Sequence, residues 1–350
     1  MPASSARDFR LDRSLQLGCD QAIRHGSKSF MVASRLLPRH TRVAARALYA
    51  YCRAADDLID ESPCVNDGLR RLRVRTERIY AAHPEDYVED RAFAEVVAHF
   101  GIPKALPDAL AEGFAWDAQA RRYDTLDDLA AYAARVASSV GVMMSMIMGV
   151  SDRHALARAA DLGLAMQLTN IARDVGEDAR RGRLYLPQDW MRGAGIDPDA
   201  FIAAPKSSTD LKSVVERLLV NADRLYKRAE SGIAALPPSC RLAIYSAALI
   251  YQEIGQEIAK NGYDSVARRG VTSKKRKLAL VAQAAATPWL FQSVATTPAH
   301  PTTQFMVDAA AVHDDADIRG LTAKATRMVE LMLSSELRRR GADPAQVSNG

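Results

Sequence analysis

A chain of 350 residues is long enough to bury a sizeable core, as one large domain or two ordinary ones, and its abundant alanine favours helix. A net charge of +5 is too small to argue for a nucleic-acid partner, though it suits a ligand carrying several negative charges. Cys19, Cys52, Cys64 and Cys240 show no CxxC spacing, which excludes a zinc ribbon or disulfide frame and reads as reduced, mostly buried thiols.

The chain opens on a charged segment where a signal peptide would need an apolar run. The longest apolar stretch, near Val140–Val150, falls short of the roughly 20 residues that cross a bilayer. The expectation is a cytoplasmic protein, with at most peripheral contact at the inner membrane face. From about Ser14 to Leu280 the apolar residues recur with helical period, and no alternating strand appears. Breakers at Leu37-Pro38, Ser62-Pro63, Gly101–Pro103, Arg181-Gly182, Leu236–Pro238 and Gly262 divide this region into roughly ten helices of an all-α domain.

The chemistry is concentrated in two of those helices. In the first, Tyr49, Arg53, Asp56 and Asp60 fall at i, i+4, i+7 and i+11, on one face. Ala45, Leu48, Cys52, Ala55 and Ile59 form a separate stripe able to bury. In the second, Gln167, Asn170, Asp174 and Asp178 share a face, while Leu164, Leu168, Ile171 and Val175 form the apolar stripe. Each face ends in an Asp-x-x-x-Asp pair. Carboxylates four residues apart repel, and both pairs sit just before helix stops, where the negative end of the helix dipole disfavours anions again. A divalent cation reverses both penalties, and Mg2+ prefers one or two carboxylates plus phosphate oxygens to a closed protein cage. A lone acidic helix end is usually a solvated face; two such faces, each with amide or guanidinium groups aligned, are more specific.

Beyond the second helix, Ala284–Asp317 is rich in Ala, Thr and Pro and has no period, so it reads as a tether that chemistry does not need. Leu321–Arg340 has the pattern of a terminal amphipathic helix whose Arg338-Arg339-Arg340 would suit an anionic membrane. The domain reading is a helical synthase domain over 1–283 and a tether with a terminal helix over 284–350.

Between about Gly26 and Lys277 the chain resembles the squalene/phytoene synthases, and bacterial phytoene synthases most closely. The resemblance rests on Ser27-Lys-Ser-Phe30, the Tyr49–Asp60 block, Tyr132-x8-Gly141, Gln167–Asp178, Gly182-Arg-Leu-Tyr-Leu-Pro187 and Tyr251–Lys277. It implies a single-domain isoprenoid-synthase helical bundle around a central cavity, Mg2+ (or Mn2+), and a cyclopropyl intermediate. It implies that Asp56, Asp60, Asn170, Asp174 and Asp178 ligate the metals, and that Ser27, Lys28 and Ser29 meet a diphosphate, although the same residues would equally serve as an N-cap. Arg53 and Arg173 would bind phosphate, or else form ion pairs on the helix surface. Tyr49, Tyr132, Gln167 and Tyr251 would contact substrate, with Tyr251 near the reacting carbons, or else pack as core. Arg268 resembles a further phosphate contact. Phe30, Met143, Met144, Met146 and Met148 would line the prenyl tunnel or, more simply, fill the core.

The reaction implied is condensation of two geranylgeranyl diphosphates to phytoene without NADPH. Three readings compete: a squalene or dehydrosqualene synthase acting on farnesyl diphosphate, a chain-elongating prenyl synthase using Asp56-Asp57-x-x-Asp60, and a non-catalytic helical adaptor. The second motif, Asp174-Val-Gly-Glu-Asp178, departs from the elongating pattern, and a scaffold gains nothing from self-repelling carboxylates.

Overall fold

The computed structural model describes residues 9–26, 34–62, 64–287 and 293–311. Its elements are α1 (Arg13–Gly26), α2 (Arg39–Asp60), α3 (Val65–Tyr80), α4 (Val88–Phe100), α5 (Ala105–Ala118), α6 (Leu126–Ala133), a π-helical segment (Ala134–Ser138) and α7 (Ser139–Ile147). They continue as α8 (Arg153–Arg180), the short α9 (Gln188–Gly193) and α10 (Pro198–Ala203), α11 (Thr209–Ile233), α12 (Pro238–Lys260) and α13 (Lys274–Ala286). There is no strand among the described residues. The breakers act as their chemistry requires. Pro38 precedes α2, Pro238 opens α12, and Gly101 ends α4 in the left-handed conformation at φ 63°. Thr125 and Asp128 form a reciprocal capping box that starts α6, and Asp152 caps α8 through the Ala155 amide.

Helix α8 is the axis of the bundle. It packs most extensively along α11 and also against α7, α12 and the π segment. Its apolar stripe, Leu164, Leu168, Ile171 and Val175, is buried as its spacing predicts. Small residues let the helices close up. A Cβ on Gly163 would lie 2.6 Å from the Ser138 Cα in the π segment, where the Ser138 hydroxyl donates to the Ala160 carbonyl at 2.7 Å. On the far side of the bundle, the Arg75 guanidinium of α3 forks onto the wholly buried Asp90 of α4, with both contacts at 2.7 Å. Met143, Met146 and Met148 are buried in the main core and Met144 packs half-buried against it, so these methionines fill core space. Cys19 and Cys240 are buried, whereas Cys64 is exposed; all four thiols are free.

Residues 126–147 behave as one helix because the π segment carries it through without a stop. An 18-residue window of this 22-residue helix has a mean hydropathy of 1.3, long and apolar enough to cross a membrane, yet 56% of that window is buried inside the protein. Leu129, Tyr132, Val142, Met143 and Ile147 make it a core wall. Counting only the run near Val140 underestimates this element.

The tether reading needs correction over 293–311. This stretch returns to the bundle through a short 3-10 turn at Pro301–Thr303 and a helix over 304–311, burying Thr303, Met306, Val307 and Ala310. Beneath it Arg158, whose side chain is fully buried, forms an ion pair with the equally buried Asp161 at 2.9 Å. The same guanidinium donates to the Thr297 hydroxyl and, at 3.1 Å, to the Pro298 carbonyl, which also accepts from Arg228 at 2.9 Å. Extended Thr/Pro chain has no helical period to detect, and the helix that follows is short within the described residues; its docking depends on backbone carbonyls meeting buried cations. The rest of the tail, including Leu321–Arg340, lies outside the described residues.

A full-length-like chain ending at Ala311 is therefore expected to outlast one ending at Thr287. Removing 293–311 takes acceptors from a buried cation, and the shorter chain should melt roughly 4 °C or more below the longer one in calorimetry. Equal melting temperatures would show that the docked stretch contributes nothing.

Candidate active site

The second acidic face lies on the C-terminal third of α8. With Leu164, Leu168, Ile171 and Val175 turned inward, Gln167, Asn170, Arg173, Asp174 and Asp178 are left half-buried. The loop after α12 clamps this end of the helix. The Gly176 amide donates to the Ser265 carbonyl at 3.1 Å, and Arg180 donates to the Val266 carbonyl at 2.8 Å. A Cβ on Gly176 would come within 2.7 Å of the Val266 Cα, so only glycine permits this backbone-to-backbone approach. Asp264 ties the loop by accepting from the Val266 and Ala267 amides at 3.2 and 3.0 Å.

That loop delivers Arg269, whose Nε lies 2.7 Å from Asp174 Oδ1 and whose Nη1 lies 3.4 Å from Glu177 Oε2. Arg173 forks onto the same Asp174, Nε to Oδ1 at 2.9 Å and Nη2 to Oδ2 at 2.5 Å. Burial by itself would raise the Asp174 carboxyl, but the hydrogen bond and charge of Arg173, and then those of Arg269, outweigh it and hold the group below the usual carboxylate range. Asp178 has no such partner. Burial, followed by the charges of Asp174 and Glu177, pushes its carboxyl up to about 7. Asn170 offers its Nδ2 to Gln167 at 3.5 Å, while its Oδ1 is buried with no hydrogen-bond partner.

The first acidic face lies on the C-terminal half of α2. Arg53 meets Asp57 through Nη2 at 2.5 Å and Nε at 2.9 Å, and Asp56 through Nη1 at 3.4 Å. Arg53 and Asp57 border a recess of about 300 Å3 between α1, α2 and the start of α4. Tyr49 is half-buried, and burial raises its phenol against the opposing charge of Arg53. Ser27, Lys28, Ser29 and the side chain of Asp60 lie outside the described residues, as does Phe30. Helices α2 and α8 pack little or not at all on each other, and α7 touches both.

The remaining sequence candidates divide. Tyr251 of α12 is half-buried against the core and within electrostatic reach of Arg173 and Tyr226, which brings it to the α8 face. Tyr132 is 3% exposed, and its hydroxyl donates to Asp117 at 2.6 Å. The second Asp117 oxygen accepts from Tyr185 at 2.6 Å, with the two tyrosine rings stacked at 5.2 Å. Arg268 is exposed; it is the adjacent Arg269 that reaches the acidic face. Sequence reasoning passed over Arg269, Glu177, Asp117 and Tyr185. Glu177 lay inside the Gln167–Asp178 run, Tyr185 inside Gly182–Pro187 and Arg269 beside Arg268 within Tyr251–Lys277, whereas Asp117 carried no signal.

Among the described residues, no three His, Cys, Asp or Glu side chains converge as a protein-only metal cage. The donor set nonetheless fits a hard divalent ion that takes much of its coordination from a phosphate ligand. An orphaned amide oxygen at Asn170 and a carboxyl at Asp178 strained by its neighbours would both gain from a cation. Guanidiniums stand beside Asp56, Asp57 and Asp174, so the arrangement can hold an anion and its counter-cations together.

The squalene/phytoene synthase family profile matches residues 23–277. A phytoene synthase of Rhodobacter capsulatus is 52% identical over 301 residues, covering 84% of this chain and 89% of its own length. A 15-cis-phytoene synthase of a Paracoccus species is 44% identical, covering 76% and 90%. Among solved structures, a dehydrosqualene synthase superposes with a TM-score of 0.71 at 31% identity, covering 78% of this chain and 96% of its own. A squalene synthase from Alicyclobacillus acidocaldarius gives 0.67 at 25%, covering 72% and 95%.

Asp178 makes a pH prediction with a definite sign. Between about pH 4 and pH 7 the folded chain keeps a proton that the unfolded chain has released, so stability falls as pH rises through that window. In metal-free buffer Asp178→Asn should therefore melt a few degrees above the parent at pH 8 and no higher at pH 4.5. A gain that is the same at both pH values would show that Asp178 titrates normally.

Proposed function

The chain belongs to the squalene/phytoene synthase family, and we propose that it joins two geranylgeranyl diphosphates head to head to give phytoene. The observation that carries this reading is the α8 face, where Asn170, Asp174 and Asp178 stand beside Arg173 and Arg269 on a helix end that repels anions unless cations are present. The phytoene synthases at 52% and 44% identity support the C20 substrate and the product.

In this reading Asn170, Asp174 and Asp178, together with Asp56 and Asp60, would hold Mg2+ or Mn2+. Once bound, the ions supply positive charge to the leaving diphosphate. Arg53, Arg173 and Arg269 pair with phosphate oxygens, exchanging the carboxylates they meet in the ligand-free chain for an anion. Ionisation of the first substrate breaks its C–O bond, and the electron pair leaves with the diphosphate. The double bond of the second substrate captures the allylic cation, loses a proton and forms a cyclopropylcarbinyl diphosphate. A second ionisation releases the other diphosphate, and rearrangement with loss of a final proton gives the central double bond. Tyr251 and Tyr49 position the prenyl chains, and the apolar flank of α8 keeps water from the cations. The proposed place of work is the cytoplasm, at the inner face of the membrane that dissolves the prenyl chains.

The second reading, condensation of farnesyl diphosphate to squalene or dehydrosqualene, draws on the structural likeness to a dehydrosqualene synthase. Incubation with labelled C15 and C20 diphosphates, with and without NADPH, separates the two. Phytoene has a conjugated triene that absorbs in the ultraviolet and squalene does not. Faster turnover of the C15 substrate, or a need for NADPH, would decide against phytoene.

Asp56→Asn and Asp174→Asn should each lower turnover at least ~100-fold with the circular dichroism spectrum unchanged. Normal activity in either folded variant would remove the metal assignment. Arg269→Gln should cost roughly 10-fold or more, expressed mainly as weaker diphosphate binding. An unchanged KM would make Arg269 a structural partner of Asp174 alone.

A further inference from the structure

Helix α2 is electrostatically inverted at both ends. Its C-terminal end carries Asp56, Asp57 and Asp60, as the proposed chemistry requires. Its N-terminal end carries the opposite charge, and nothing in that chemistry uses it. Arg35, Arg39, Arg42 and Arg46 follow one another at i, i+4, i+7 and i+11, with Arg35 in the turn before the helix and the other three along one face. The first turn contains no acidic residue, and the preceding Pro38 provides no side-chain cap. Cations here meet the positive end of the helix dipole and one another, both unfavourable.

These arginines line a pocket of about 470 Å3 between α1 and α2, together with Gln16, Cys19, Asp20 and Val43. Asp20 is the only carboxylate in that lining. It is engaged by Arg46 at 2.6 Å, and Arg46 also donates to the Ser34 hydroxyl at 3.4 Å. Among the described residues, Arg42 makes only a long contact, 3.5 Å, to the Arg35 carbonyl. Arg35 and Arg39 are exposed and have no acidic partner among the described residues. Four guanidiniums against one carboxylate leave a strong positive excess in a concave site. The forked donors of arginine match the oxygens of phosphate.

We propose that this pocket is a second anion site, specific for a diphosphate or phosphate-monoester group and separate from the site at the acidic helix ends. Fourteen residues of α2 separate Arg42 from Asp56, which is ~21 Å along the helix axis. Among the described residues the pocket contains no carboxylate pair to hold a cation, so it binds its anion without Mg2+. Two sources present the same chemistry: free diphosphate, or the phosphate-monoester headgroup of phosphatidic acid.

Calorimetric titration of the full chain with inorganic diphosphate in EDTA reads this site without metal-dependent binding. Arg35→Gln/Arg39→Gln alters two exposed, unpaired side chains and should weaken diphosphate at least ~10-fold. Asp20→Asn should tighten it. Arg71→Gln/Arg224→Gln, two exposed arginines elsewhere with the same change in net charge, should leave it unaltered. Vesicles of phosphatidylcholine with phosphatidic acid then assign the source. Displacement of diphosphate from the parent by these vesicles, but not by vesicles lacking phosphatidic acid, assigns the lipid headgroup; no displacement assigns free diphosphate. Equal affinity in the parent and Arg35→Gln/Arg39→Gln, or an equal loss in the distant control, overturns the proposal.

Discussion

The α8 site depends on a contact that has no side chain on one of its two partners. Gly176 lets the backbone at Val266 lie directly on α8, two residues from both Asp174 and Asp178. Any Cβ there would push the loop away, and with it Arg269, the guanidinium that stands across Asp174 from Arg173. The Arg180 and Ser265 hydrogen bonds hold the same approach from either side. A contact between main chains is also stiffer than one made through long side chains, because it has no rotamers to change. The acidic face is thereby fixed relative to a charge that arrives from 95 residues later in the chain.

Much of this could be read from the sequence because two periodicities coincide. The stripe Leu164, Leu168, Ile171 and Val175 had to be buried, and burying it leaves Asn170, Asp174 and Asp178 together on a neighbouring face. The same logic worked for Ala45, Leu48, Ala55 and Ile59 against Arg53 and Asp56, with Cys52 only half-buried at the margin. What could not be read is whatever depends on a partner from another element. Whether Arg268 or Arg269 reaches α8 is decided by the turn that Asp264 ties, and helical spacing contains no information about that. Tyr132 illustrates the opposite limit. Its spacing from Gly141 was visible, but its hydroxyl bond to Asp117 was not, because Asp117 lies on another helix and carries no motif of its own.

The docked stretch over 293–311 was missed for a related reason. Arg158 and Asp161 look like an ordinary i,i+3 pair on α8, the kind that normally faces solvent. Both side chains are in fact fully buried, and burying such a pair is tolerable only when its remaining donors and acceptors are satisfied. Arg228 supplies a second cation to Asp161, and the Thr297 hydroxyl and Pro298 carbonyl take hydrogen bonds from Arg158. The aperiodic Thr/Pro chain is therefore the polar complement of a buried charge. Its composition resembles a linker because main-chain carbonyls, which every sequence possesses, make much of the contact.

In the proposed reading, the chain would hold cations at its two acidic faces. Its own guanidiniums stand in for them: Arg53 at Asp56 and Asp57, Arg173 and Arg269 at Asp174. Such pairs are partly exposed, so each is worth little on its own, and exchanging carboxylate for phosphate as the partner of a guanidinium carries little penalty. Asp178 and the Asn170 oxygen have no stand-in, and they are the groups the folded chain leaves least satisfied. Arrival of cations together with a diphosphate would satisfy all these groups in one step: the unpaired oxygens gain a cation, and the freed arginines gain an anion. Either ion alone would leave like charges facing each other. On that reading the charge arrangement would couple metal binding to diphosphate binding, so that the strongest positive field in the site would be assembled only when the leaving group is present to use it.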